Sequence, residues 1–254
     1  MKRYSKLIPQ GTRDLLFEEC DDRRNVEAIL SALFKEHKYR KVMTPTVEFY
    51  DVFAENDLGI EAEEMYKLSD SQGRTTVLRP DNTAPIARLV ATRLSKEDFP
   101  VRLYYNQNVY VRNKSLAGRT DETEQSGIEL IGDGSIDADI EVISMAYEAL
   151  KRNNVSSFKL ELCHAGFFKS ILNKMNITST QKADICKLIE GKNYAALGDM
   201  LAQFDDSREA DVIKKLPRLF GDVSVIAVSY THLTLPTKQR NFIVMKNQTK
   251  HLTI

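Results

Sequence analysis

The spacing of apolar residues changes along the chain. Within residues 19–38, Val26, Ile29, Leu30, Leu33 and Phe34 recur every three or four positions, which predicts an amphipathic helix. Lys41 to Val47 is short, β-rich and interrupted by Pro45, so it predicts a strand with a break. Glu63–Ser69 and Thr75–Leu78 flank the turn sequence Asp70-Ser71-Gln72-Gly73-Arg74 and together predict a hairpin. Helical spacing returns over Thr83–Leu94, with Ile86, Leu89, Val90 and Leu94 on one side. Val101–Val111 and Gly127–Ile131 predict strands, the second ending in Gly132-Asp133-Gly134. Asp137–Leu150 predicts a helix with Ile140, Ile143, Tyr147 and Leu150 as its apolar stripe. Phe158, Leu160 and Leu162 alternate with Lys159 and Glu161, the period of another strand. Residues 166–220 become helical and polar. Strands bridged by helices without regular βαβ alternation predict an α+β fold, a mixed or mostly antiparallel sheet flanked by helices.

Composition narrows the class. The chain has 254 residues, 36 Lys and Arg against 36 Asp and Glu, and no Trp, which excludes fibrous and disordered readings. No run approaches the roughly 18 apolar residues of a membrane span. The basic N-terminus, Met1 to Pro9, lacks the apolar core of a secretory signal. Cys20, Cys163 and Cys186 are odd in number and far apart, which suits small buried side chains in a reducing cytoplasm. Residues 1–227 hold 32 basic and 36 acidic side chains, so the main body has no nucleic-acid footprint. From Val228 onward Lys238, Arg240, Lys246 and Lys250 face no acid. Val228–Thr237 also resembles the translation of a sequencing-library adaptor. Residues 228–254 are therefore expected to lie outside the native reading frame, with no function for His232 or His251.

The usual catalytic signatures are missing: no phosphate loop, GxGxxG, HExxH or GxSxG occurs. His37 ends the first helix, a solvated position. Cys163 and His164 are strand neighbours facing opposite ways, so no metal ligand set and no cofactor is expected. Four stretches remain: Gly11–Leu16, Tyr39–Glu48, Leu78–Pro85, and Arg102–Tyr105 continuing to Gly118-Arg119 and Gln125–Glu129. Each alone has a bland reading. Asp81 could be a helix N-cap after Pro80, and Gln125 and Glu129 could be exposed strand polars.

Their order and spacing, from about Gly11 to Phe220, resemble the histidyl-tRNA synthetases and their regulatory paralogue. That resemblance implies a class II aminoacyl-tRNA synthetase-like core over residues 1–165. Tyr39–Glu48 would be the dimer-forming motif 1 and Asn108–Glu129 would cover motif 2. Residues 166–227 would be a helical insertion and the start of the remaining core, truncated before motif 3. The family's pocket for free histidine maps onto Asp81, Thr83, Gln125 and Glu129. Asp81 stands where the synthetases usually carry Glu. A carboxylate and hydroxyl or amide acceptors suit an α-ammonium, and a carboxylate suits an imidazole N–H. Gln125 and Glu129, four apart on a strand, share a face.

The nucleotide half departs from the pattern. Where the synthetases read Phe-Arg-x-Glu, this chain has Tyr110-Val111-Arg112-Asn113. Val111 replaces the arginine that grips the α-phosphate, and Asn113 replaces the glutamate. Loss of one such donor typically lowers rate by roughly 10²–10³. Arg112 is adjacent and could substitute only if a bulge turned it around. The resemblance therefore implies a non-catalytic, cytoplasmic regulatory subunit. It would act with the short-form ATP phosphoribosyltransferase catalytic subunit in the first step of histidine biosynthesis. Free histidine would be the effector, a homodimer would sit within a hetero-oligomer, and neither membrane nor nucleic acid would be a partner. The alternative is an ATP-dependent ligase joining histidine to tRNA.

Overall fold

A computed structural model describes residues 6–54, 60–113, 120–162, 165–204, 207–215 and 243–246. Cys163, His164, the loop from Lys114 to Gly118 and nearly all of residues 228–254 fall outside that description. Two compact units divide the chain: Met1–Leu160 with Met245–Ile254, and Glu161–Val244.

The first unit begins with α1 (Glu18–Glu36), whose first turn is acidic and whose last turn carries Lys35, complementing the helix dipole. Its buried residues are Leu30, Leu33 and Phe34, while Val26 from the predicted stripe is exposed. His37 follows as the exposed C-cap. The predicted broken strand is two strands in two sheets. β1 (Arg40–Lys41) runs parallel to β5 (Val101–Tyr110), and β5 pairs antiparallel with β6 (Glu122–Ile131). β2 (Val47–Phe49) and β3 (Lys67–Ser69) flank β4 (Thr75–Leu78) in an antiparallel sheet. In the β3–β4 turn, the Asp70 carboxylate accepts the Gln72 and Arg74 amides, and Gly73 supplies a φ of 77°. Between β2 and β3 lie α2 (Asp51–Ala54) and a 3₁₀ turn, Ala62–Glu64; Glu63 and Glu64, predicted to open the first hairpin strand, belong to that turn, and β3 starts only at Lys67.

The β1–β5–β6 sheet has apolar layers on both faces. Tyr104 and Ile128 meet α1 and α4 (Ile136–Arg152) through Leu33, Phe34, Met145 and Ala149. On the opposite face Leu103 and Tyr105 meet α3 (Thr83–Arg93) through Ile86 and Val90. A third cluster joins Val77 of β4 to Phe53, Met65 and Ala84.

The stripe predicted for α4 is only partly correct. Leu150 is buried, but Ile140 and Tyr147 are about half exposed, at 54% and 49%. The inward face is instead Ala138, Met145, Ala146, Ala149 and Leu150. Three alanines let the helix approach its neighbours closely, and the bulkier side chains take the outer surface, where Tyr147 packs on Phe158.

After β7 (Lys159–Leu162) the second unit contains α5 (Ala165–Lys174), α6 (Ser179–Glu190), α7 (Tyr194–Ala202) and α8 (Arg208–Lys215). Thr178 and Gln181 form a capping box on α6. Ile171, Ile185, Leu197, Leu201 and Ile213 make a separate core. β8 (Ile243–Lys246) pairs with β7.

Candidate functional site

The site is assembled where β4 hands over to α3. Arg79, almost fully buried, fastens that junction. Its Nε donates to the Asn108 carbonyl at 2.7 Å and its Nη1 to the Thr44 carbonyl at 2.8 Å. Its amide donates to the Thr46 carbonyl at 2.9 Å, and its carbonyl accepts the Tyr110 amide at 3.0 Å. The strand end is thereby tied to β5 and to the link between β1 and β2. Burial lowers the Arg79 pKa.

Asp81 Oδ1 next accepts the Thr83 amide at 2.7 Å, satisfying a free N–H at the start of α3. The N-cap residue itself is Asn82, not Asp81, and its side chain makes no capping bond. The capping carboxylate comes from one position earlier because the Asn82 side chain points inward to Gln125.

The β5–β6 register supplies the other wall. Leu103 pairs with Glu129, Tyr105 with Gly127 and Gln107 with Gln125. Paired residues share a face, so Gln125, Gly127 and Glu129 line one side as the four-residue spacing predicts. Gln125 Nε2 donates to Asp81 Oδ2 at 3.2 Å. Its Oε1 accepts both the Asn82 amide, at 3.2 Å, and Asn82 Nδ2, at 2.7 Å. The Thr83 hydroxyl is close enough to Glu129 and Tyr105 to oppose the upward pKa shift of each. Asp81, Thr83, Gln125 and Glu129, separated by up to 48 positions in sequence, thus form one cluster.

Gly127 makes room for it. A Cβ there would lie 2.5 Å from the Tyr105 hydroxyl. Burial raises the Glu129 pKa from 4.5 to about 7; the Thr83 hydroxyl opposes the shift and the Asp81 charge adds to it. Burial, then Glu129 and Asp81, push the Tyr105 phenol well above its ordinary value. Two carboxylates and a hydroxyl with one strongly desolvated acid suit a small cationic ligand with several polar groups. Glu129 near its midpoint at neutral pH can accept from, or donate to, an imidazole nitrogen. Sequence reasoning missed Asn82, Arg79 and Tyr105, although all three lie inside the highlighted stretches. Their roles depend on partners in other elements.

The nucleotide-side positions lie at the far end of β5. Val111 bridges Met65, and its amide donates to the Asp121 carbonyl at 2.8 Å. Asn113 is held by the residues just before β6. Its amide donates to Asp121 Oδ1 at 3.0 Å, and its Nδ2 to the Thr120 carbonyl at 3.0 Å. Arg112 lays its guanidinium over the Tyr66 ring, 5.1 Å from the centroid, and Tyr66 in turn donates to Asp121. Gly11 packs on the same carboxylate. Its φ is 81°, and a Cβ would fall 2.4 Å from Asp121 Cγ. The Asp121 pKa is raised by burial but ends below its ordinary value through the Tyr66 and Asn113 hydrogen bonds.

A β1–β5–β6 sheet covered by α1 and α4 on one face and α3 on the other belongs to a class II aminoacyl-tRNA synthetase-like fold. The chain belongs to the histidyl-tRNA synthetase family, whose sequence profile matches residues 11–248. It is 43% identical over 229 residues to the ATP phosphoribosyltransferase regulatory subunit of Clostridium novyi (strain NT), covering 89% of this chain and 54% of that protein. A solved Bacillus halodurans structure, described as an ATP phosphoribosyltransferase regulatory subunit/histidyl-tRNA synthetase, superposes with a TM-score of 0.83. The identity is 32%, over 92% of this chain and 61% of that one. A histidine–tRNA ligase subunit from Alicyclobacillus acidocaldarius gives a TM-score of 0.69 at 25% identity, over 80% and 58% of the two chains. The chain spans about half the length of the curated relatives it matches.

Proposed function

We propose that this protein is a non-catalytic regulatory subunit of ATP phosphoribosyltransferase, binding free histidine at Asp81, Thr83, Gln125 and Glu129. The observation that carries the reading is the contrast between two neighbouring regions. The amino-acid cluster is bonded together, whereas the motif 2 positions hold an apolar Val111 and an Asn113 committed to Asp121 and Thr120. A valine cannot stabilise charge developing on a phosphate. Relatives at about 40% identity bear the regulatory name, which favours this over the ligase alternative.

Regulation follows by linkage. Histidine shifts the assembly only as far as it binds one arrangement better than another. The partner is the short catalytic subunit. Homodimerisation would use the β2–β4–β3 sheet, where Val47, Phe49 and Leu68 are exposed. Among the described residues no helix is long and apolar enough to cross a membrane, and the cytoplasm is the compartment this role requires.

The test mixes the intact protein with purified short catalytic subunit and follows phosphoribosyl-ATP formation. Activation that histidine reverses is expected. No effect on that enzyme, together with histidine-dependent pyrophosphate exchange into ATP, would replace this reading with the ligase.

A further inference from the structure

Asn82 is fully buried, yet its side chain does no capping and its Oδ1 has no hydrogen-bond partner among the described residues. Its Nδ2 donates to Gln125 Oε1 at 2.7 Å, and its backbone amide donates to the same oxygen at 3.2 Å. A backbone N–H can only donate, so the atom of Gln125 it faces must be the carbonyl oxygen. On the other side of the same amide stands the Asp81 carboxylate, which accepts from Nε2 at 3.2 Å. Turning Gln125 over would set its NH2 against two donors and its oxygen against an anion. Turning Asn82 over would set two amide oxygens face to face. The orphaned Oδ1 is therefore the consequence of holding Nδ2 on Gln125.

We infer that Asn82 is a positioning residue that locks the Gln125 amide with its NH2 toward Asp81, so that Gln125 serves the site as a hydrogen-bond donor. The consequence is a division of labour within the cluster, and it rests on the histidine reading given above. Asp81 and Thr83 are left as acceptors for a ligand ammonium. The Gln125 carbonyl is occupied and takes no part in holding that cation. The second Nε2 hydrogen is left for an acceptor on the ligand, which in a free amino acid is the carboxylate. A ligand without that carboxylate, such as histamine, forfeits the contact while keeping its ammonium and imidazole.

Two readouts test the lock in the intact protein. The first is hydrogen exchange of the Gln125 side-chain amide by NMR, assigned from its disappearance in Gln125→Glu. Exchange is expected to be at least tenfold faster in Asn82→Ala than in the unaltered protein. Equal rates would overturn the lock, whether or not histidine binds. The second is calorimetry with histidine and histamine. The preference for histidine is expected to shrink about tenfold in Asn82→Ala, because a freed Gln125 can present either end. A preference unchanged in the variant would overturn the donor role. Asn82→Asp provides a near-isosteric second variant should Asn82→Ala fold poorly; it keeps the volume but replaces the donor with an acceptor, and the same two changes are expected. Asn82-dependent exchange in a protein that binds no histidine would uphold the lock and remove the proposed ligand.

Discussion

Glu129 is the carboxylate that its surroundings carry into the neutral pH range. Its pKa rises from 4.5 to about 7, chiefly by burial. The folded state thus prefers the protonated acid. Its contribution to stability is fully present below pH 4.5 and is lost as pH rises through about 7. The shift corresponds to roughly 3 kcal/mol. Urea unfolding at pH 5 and pH 8 should show that loss in the unaltered protein and much less of it in Glu129→Gln. An equal loss in both would place the titration elsewhere. A cationic ligand reverses the preference, so histidine binding near pH 7 should release a proton, visible as a dependence of the binding heat on the buffer's ionisation enthalpy. At the other end of β5, Val111→Arg should restore neither pyrophosphate exchange nor alter feedback, because Asn113 remains bound to Asp121 and Thr120. That Asp81, Thr83, Gln125 and Glu129 come together was legible in the sequence from local spacing and a family pattern. Asn82 was not, because what it does depends on a hydrogen bond to Gln125, 43 positions away.

At the scale of elements, strands and helices were mostly legible from their periods, and the departures have physical causes. Pro45 marked a break, but the pattern could not say that β1 and β2 join different sheets. The α4 stripe was misplaced because larger apolar side chains were weighted over alanines, whereas close packing on α1 and β6 selects the alanine face. Two substitutions separate these faces. Ala149→Leu should cost about 1–3 kcal/mol by overpacking, while Ile140→Ser should stay within about 0.5 kcal/mol. Chemical denaturation checks both, and the reverse order would restore the original stripe. Gly127→Ala tests the wall of the site. A methyl group 2.5 Å from the Tyr105 hydroxyl must displace that ring. Weakened histidine binding is expected, with partial recovery in the double variant carrying Tyr105→Phe; unimpaired binding in Gly127→Ala would detach the Tyr105 wall from the site.

At the scale of the molecule, the α5–α8 unit has its own core, and the candidate site lies wholly within residues 81–129 of the other unit. Leu201→Ala, at a fully buried position, should destabilise its unit by about 2–5 kcal/mol and leave histidine affinity unchanged. A shared loss would show that the site depends on the helical unit. The α+β class and the helical character after residue 165 were readable from the change of period; the partition of apolar residues among separate cores was not, since it requires contacts between distant segments. The proposal requires that the chain hold free histidine through Glu129, with Val111 at the position of the phosphate-gripping arginine. The most direct measurement is a calorimetric titration of histidine into the unaltered protein and into Glu129→Ala. Saturable single-site binding that the substitution weakens at least tenfold is the predicted result. No binding to the unaltered protein, or equal affinity in both, would contradict it.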